Sequence, residues 1–202
     1  MGRPKTIEDD ALLKIAREVF LESGAYGSTK DIAARAGISE AALFKRFPTK
    51  AVLFLKAMAP PPADTDYIFK QVRAEKDPKK ALRVLARQML AYYRTAIPRV
   101  VHLITHPAIG LDALPAHLGG AGVMLDAAVA EYLREENARG RIKAPDPRAA
   151  AGLLVATLHS VVMFELMGVH GGAIPPEAID AMLDALWGGL KPQKKSQAKR
   201  KT

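Results

Sequence analysis

The chain has 202 residues, with 30 Lys and Arg against 21 Asp and Glu for a formal net charge of +9, and no cysteine. That length buries a real core in one large domain or two small ones. The missing thiols exclude a disulfide framework, a thiolate metal site and a cysteine nucleophile, and they fit a reducing compartment.

A cytoplasmic location is therefore expected, since the first ten residues carry Arg3, Lys5, Glu8, Asp9 and Asp10 without the apolar run of a secretory signal. The most apolar stretch, 152 to 169, is interrupted by His159, Ser160 and Glu165. Ionisable groups are costly at bilayer depth, so it reads as a buried bundle helix and no membrane partner is expected. Much of the positive charge sits in the tail from Lys191 to Thr202, which holds six cations and no acid. It is either a solvated, disordered tail or a source of attraction to phosphate.

In chain order, Ile7, Ala11, Leu12, Ile15, Val19 and Phe20 recur at helical spacing, and Thr6 with Asp9 resembles a capping box. A helix over 7 to 22 follows. Ser28 and Asp31 offer a second cap for a short helix reaching Ala36, and Gly37 supplies the left-handed residue that ends it. Ser39 caps a third helix, with Ile38 and Leu43 placed as a hydrophobic staple, and Pro48 stops it. Thr49 caps a fourth from Lys50 to about Met58, beyond which Pro60, Pro61 and Pro62 forbid continuation.

A weak amphipathic piece at 65 to 75 leads to a helix capped by Asp77 with Pro78 at its first position. Pro98 should end or kink it, leaving a short helix at 99 to 106. Further helices are predicted at about 121 to 139, 147 to 168 and 176 to 188. No strand pattern and no internal repeat occurs. The fold class is all-α, divided into residues 1–49, 50–190 and the basic tail 191–202.

Three short helices in the first fifty residues, the last two joined by a glycine turn, have the spacing of a helix-turn-helix. The same spacing also fits a plain bundle corner. At 100° per residue, Leu43 and Phe47 share one face of the third helix, Ala41 and Lys45 point opposite, and Ala42 and Arg46 flank them, with Phe44 on the other side. Small residues let a helix approach base edges, and cations reach guanine or phosphate. Ser28, Thr29 and Lys30 stand where a helix start offers N–H groups and hydroxyls to a phosphate oxygen.

The stretch "TKDIAARAGISEAALFKRFPTKAVLF" resembles the DNA-binding pattern of the TetR family of bacterial transcriptional regulators, close to T-x-x-D-I-A-x-x-A-G-V-S-x-G-T-L-Y-x-H-F-x-S-K-x-x-L. The shared positions are Thr29, Asp31 to Ala33, Ala36, Gly37, Ser39, Leu43, Phe47, Lys50 and Leu53. The resemblance implies an N-terminal three-helix DNA-binding domain and a C-terminal helical domain for ligand binding and dimerisation. It implies a homodimer on a pseudo-palindromic double-stranded operator, and a small effector that releases it. Carried over by position, Thr29, Ser39, Lys45 and Lys50 contact phosphate or bases, and an Arg-Pro arm could enter the minor groove. The full DNA-binding set expected is Arg3, Lys5, Ser28, Thr29, Lys30, Ser39, Glu40, Ala41, Ala42, Phe44, Lys45, Arg46 and Lys50. The chain departs from the pattern at Ala42 and Phe44, which replace a threonine and a tyrosine, and in the proline run that cuts short the fourth helix.

In the second half, the ligand-binding candidates are Met89, Tyr92, Tyr93, His102, Met124, Met163, Phe164 and Met167, with Trp187 beside them. A Met and aromatic stripe also makes an ordinary core. His102 and His106 lie four apart but have no carboxylate or cysteine nearby, so no metal and no cofactor is expected. No nucleophile elbow, phosphate-cradling glycine loop or H-E-x-x-H motif appears, and an enzyme is not expected. Leu153, Leu154, Thr157, Val161, Ile179, Met182, Leu183 and Leu186 either close the chain's own core or pair across a two-fold axis. The expected function is a ligand-responsive repressor released by a mostly apolar effector. The alternative is a helical ligand-binding or assembly protein attracted only nonspecifically to nucleic acid.

Overall fold

The computed structural model describes residues 7–107, 109–110, 112, 115, 121–169 and 171–190; Arg3, Lys5 and the tail 191–202 lie outside the described residues. The regular structure among the described residues is all helical. The chain divides into two compact units, Met1–Pro62 with Arg94–Ala121, and Ala63–Tyr93 with Gly122–Thr202.

The first unit contains α1 (Asp9–Ser23), α2 (Thr29–Arg35), α3 (Glu40–Arg46) and α4 (Lys50–Met58). Helix α1 starts two residues later than the sequence predicts, with Glu8 at the N-cap making no side-chain bond. Asp9 and Asp10 instead place negative charge in the first turn, where the helix dipole favours it. A single 3-10 turn, Gly24–Tyr26, follows. At Gly27 a Cβ would lie 2.7 Å from Cδ1 of Phe20, so only glycine lets the chain pass over that ring.

Helix α2 ends in a Schellman motif. Gly37 has φ +67°, its N–H donates to the Ala34 carbonyl, and the Ile38 N–H donates to the Ala33 carbonyl. The starts of α2, α3 and α4 are alike in kind: Ser28, Ser39 and Thr49 accept from the N–H groups of Asp31, Ala42 and Val52. Those caps set the entry of the three helices onto a common core of Leu12, Phe20, Ile32, Leu43, Phe47 and Phe54. The rings of Phe20 and Phe54 meet edge to face at 5.0 Å. Leu103, fully buried, completes this core from far along the chain.

The second unit contains α5 (Thr65–Ala74), most of α6 (Pro78–Ile104), α7 (Ala121–Ala138), α8 (Pro147–Leu166) and α9 (Pro176–Leu190). Asp64, Asp77 and Asp146 cap α5, α6 and α8. The last two stand directly before a proline, which loses nothing at the first helical position. Arg83 pairs with Asp180 and Asp184, and Lys79 with Asp184, tying α6 to α9. Glu136 is buried and ion-paired with Arg139 and Arg141.

Two helices behave differently from what their composition suggests. Pro98 neither ends nor divides a helix: α6 runs unbroken through it to Ile104. An internal proline costs about 3 kcal/mol, and burial of Ala96, Ile97 and Leu103 around it holds the helix together. Helix α8 is long and apolar enough to cross a membrane by length and composition. Here it packs into the unit through Ala150, Ala151, Leu154, Leu158, Val161 and Val162.

Candidate nucleic-acid interface

Helix α3 is two turns long and divides as its sequence predicts. Leu43 is fully buried and Phe47, its C-cap, is 1% exposed, while Ser39, Glu40, Ala41 and Lys45 face solvent. Ala42, Phe44 and Arg46 are half-buried at its flanks. The exposed residues are thus a carboxylate at the helix start and, on the face opposite Leu43, an alanine and a lysine one turn apart, with Ala41 small enough for the backbone to approach another surface closely.

The start of α2 lies beside it. Ser28 and Lys30 are exposed, Thr29 is half-buried, and Lys50 sits half-buried at the start of α4. As caps, Ser28 and Ser39 use only oxygen lone pairs, so the hydroxyl proton of each stays available to an acceptor such as a phosphate oxygen. Lys45 makes no hydrogen bond or ion pair among the described residues. Arg35, by contrast, is held by Glu22 and Asp31, and these bonds raise its pKa.

Three of the residues predicted to touch DNA, Arg46, Thr29 and Glu40, are already engaged by other side chains of the chain. Arg46 donates to the Ile7 carbonyl and to Asp9. Thr29 Oγ1 donates to Glu40 Oε1 at 2.6 Å, a bond between α2 and α3 that no local sequence rule signals. Tyr26, two residues before Ser28, is 90% exposed. Sequence spacing passes over it because a single aromatic between glycines belongs to no periodic face.

The ligand-binding candidates scatter. Met89 and Tyr93 are buried in the second unit, Tyr92 and Met163 are half-buried, and Met124, Phe164 and Met167 are exposed. His102 belongs to the first unit, its Nδ1 3.8 Å from the place a Cβ would occupy on Gly24. Tyr93 brings a polar cluster together, its ring 5.7 Å from Tyr92 and 5.9 Å from His159. Burial raises its pKa, and the Asp126 carboxylate raises it further. A cleft of about 620 Å³ opens between α7 and α8, walled by Asp126, Glu131, Arg134 and Arg148 over a floor of Ala130 and Ala151. None of the ligand-binding candidates lines it.

Residues 12–57 match the model of the bacterial regulatory proteins of the tetR family, and residues 80–186 match the C-terminal domain of AefR-like transcriptional repressors. No curated protein matches the sequence. Solved structures share the fold. A Rhodococcus protein of unknown function superposes with TM-score 0.70 at 22% identity, covering 95% of this chain and all of its own. The TetR-family regulator PfmR of Thermus thermophilus does so with 0.63 at 20%, covering 90% and 99%. The Bacillus subtilis regulator FadR, in complex with stearoyl-CoA, gives 0.64 at 17%, covering 88% and 97%. With both parts of the chain matched in order by models of such regulators, the protein belongs to the TetR family of bacterial transcriptional regulators.

Proposed function

We propose that this regulator is a homodimeric repressor that binds a pseudo-palindromic operator through residues 28 to 50, aided by Arg3 and Lys5, and leaves it when a small, mostly apolar effector binds. The observation that carries the reading is the exposed strip of α3, where Lys45 stands unpaired among the described residues beside the small Ala41, with the free hydroxyl protons of Ser28 and Ser39 at its edge. A recognition helix needs that combination: a backbone that can approach base edges, and donors on its flank for phosphate.

Dimerisation is supported by Leu153, Phe164 and Met182, large apolar side chains left exposed on α8 and α9. An apolar effector is supported by the stearoyl-CoA bound to the related FadR fold. Release follows from linkage: a ligand that prefers the DNA-incompetent arrangement lowers DNA affinity, and DNA lowers ligand affinity by the same factor.

Selection of bound sequences from a random duplex pool tests the reading. The expected result is a two-fold-related site bound about a thousandfold or more above random DNA at fixed salt, with affinity falling on addition of acyl-CoA or another apolar ligand. Equal affinity for selected and random duplexes would rule out a sequence-specific repressor.

A further inference from the structure

The bond between Thr29 and Glu40 changes the chemistry of both residues. A threonine hydroxyl has one proton to give, and here that proton is committed to Glu40 Oε1 at 2.6 Å. Thr29 can then accept but not donate, and a phosphate oxygen, itself only an acceptor, gains nothing from it. Ser28 and Ser39, which use lone pairs and keep their protons, still have a hydroxyl proton to offer a phosphate oxygen.

Glu40 is the first residue of α3 and is exposed next to Ala41. The N-terminal residues of a recognition helix are the ones that reach base edges. A carboxylate there is repelled by the backbone phosphates and can only accept hydrogen bonds. In the major groove guanine offers N7 and O6 acceptors and thymine an O4 acceptor, which repel it. Adenine pairs its amino donor with an adjacent N7 acceptor. Cytosine alone offers the N4 amino group without a neighbouring acceptor on its own edge. The tether to Thr29 removes rotamer freedom that a lone glutamate would lose on binding, so the acceptor is already in place.

The structure assigns Glu40, held by Thr29, the role of a specificity residue that reads a cytosine in each operator half-site. This rests on the operator-binding reading above and sharpens it to one residue and one base.

The test uses the full chain in four forms, wild type, Glu40→Gln, Glu40→Ala and Thr29→Val, each selected against the same random duplex pool and then titrated at one salt concentration. Thermal melting checks that each variant folds. Wild type should select cytosine at one position per half-site. Glu40→Ala should lose that preference by about tenfold or more, while its affinity for random duplex rises, because a negative charge is gone and the Thr29 proton is released to phosphate. Glu40→Gln should move the preference toward adenine, which a glutamine amide can bond at N6 and N7. Thr29→Val should keep the operator and weaken discrimination at that same position only. The inference is overturned if wild type selects an operator and Glu40→Ala selects it with unchanged base frequencies throughout, or if the position that changes does not hold cytosine. A wild type that selects no sequence overturns the operator-binding reading itself and this inference with it.

Discussion

Arg46 Nη1 lies 3.2 Å from Asp9 Oδ1 and also donates to the carbonyl of Ile7, so the last turn of α3 is fastened to the chain entering α1. A guanidinium used this way is a structural strut first. Arg46→Ala should lower stability by about 1–2 kcal/mol, read as a downward shift of the denaturant midpoint with an unchanged slope. Asp9→Asn should also destabilise, yet leave DNA affinity equal or higher, because it frees a cation beside the recognition helix.

Lys45 should behave in the opposite way. Exposed and unpaired among the described residues, it has little to contribute to folding, and Lys45→Ala should leave the melting temperature nearly unchanged. Operator affinity should fall, and the slope of log affinity against log salt should shrink by about 0.9 for each phosphate that is no longer neutralised. Fluorescence anisotropy at several salt concentrations checks both.

Leu43 turns α3 toward the core, and it is fully buried. Leu43→Ala should cost about 2–5 kcal/mol and weaken DNA binding only through the fraction unfolded. Gly27→Ala should also destabilise, because its methyl would meet the Phe20 ring at 2.7 Å. Chemical denaturation of the two variants separates these costs from any effect on DNA.

Leu153 is 63% exposed on α8 and Met182 41% exposed on α9. Replacing either with glutamate costs a single chain little, but places a charge within any apolar helix pairing. Sedimentation velocity should find wild type as dimer and Leu153→Glu shifted toward monomer, with operator affinity falling in parallel because two heads are needed to read two half-sites.

His106 gives the first unit a pH dependence. Its ring sits 4.4 Å from Phe54, and burial, then the charge of Lys50, lowers its pKa from 6.5. A depressed histidine binds its proton more readily unfolded than folded, so its contribution is fully present above pH 6.5 and is lost as pH falls through the lowered folded value. The melting temperature should therefore drop on acidification below pH 6.5. His106→Phe should flatten that part of the profile while keeping the ring packing against Phe54.

The legible parts of this protein were those encoded locally. Ser28, Ser39, Thr49 and Asp77 cap the helices their sequence positions indicate, and Gly37 adopts the left-handed conformation its place after α2 requires. The two faces of α3 follow from helical periodicity alone. Of the end or kink that Pro98 signals, the end does not occur, because a local signal is overruled by burial around it, a tertiary effect. The Thr29–Glu40 and Arg46–Asp9 bonds join residues 11 and 37 positions apart. Nothing in the spacing of either pair indicates that its members meet. The effector candidates were the least legible, because Met and aromatic side chains recur alike in cores, pocket walls and interfaces, and only burial separates Met89 from Met167.

Leu103 has a consequence for the order in which this chain matures. The core shared by Leu12, Phe20, Leu43 and Phe54 is closed by a side chain synthesised well after α4 has ended. During synthesis the first four helices can form as they emerge, since their caps are local, but they wait with an open seam until the end of α6 arrives. A fragment cut at Pro62 should for the same reason be a loosely packed helical intermediate, prone to proteolysis, that lacks its closing residue.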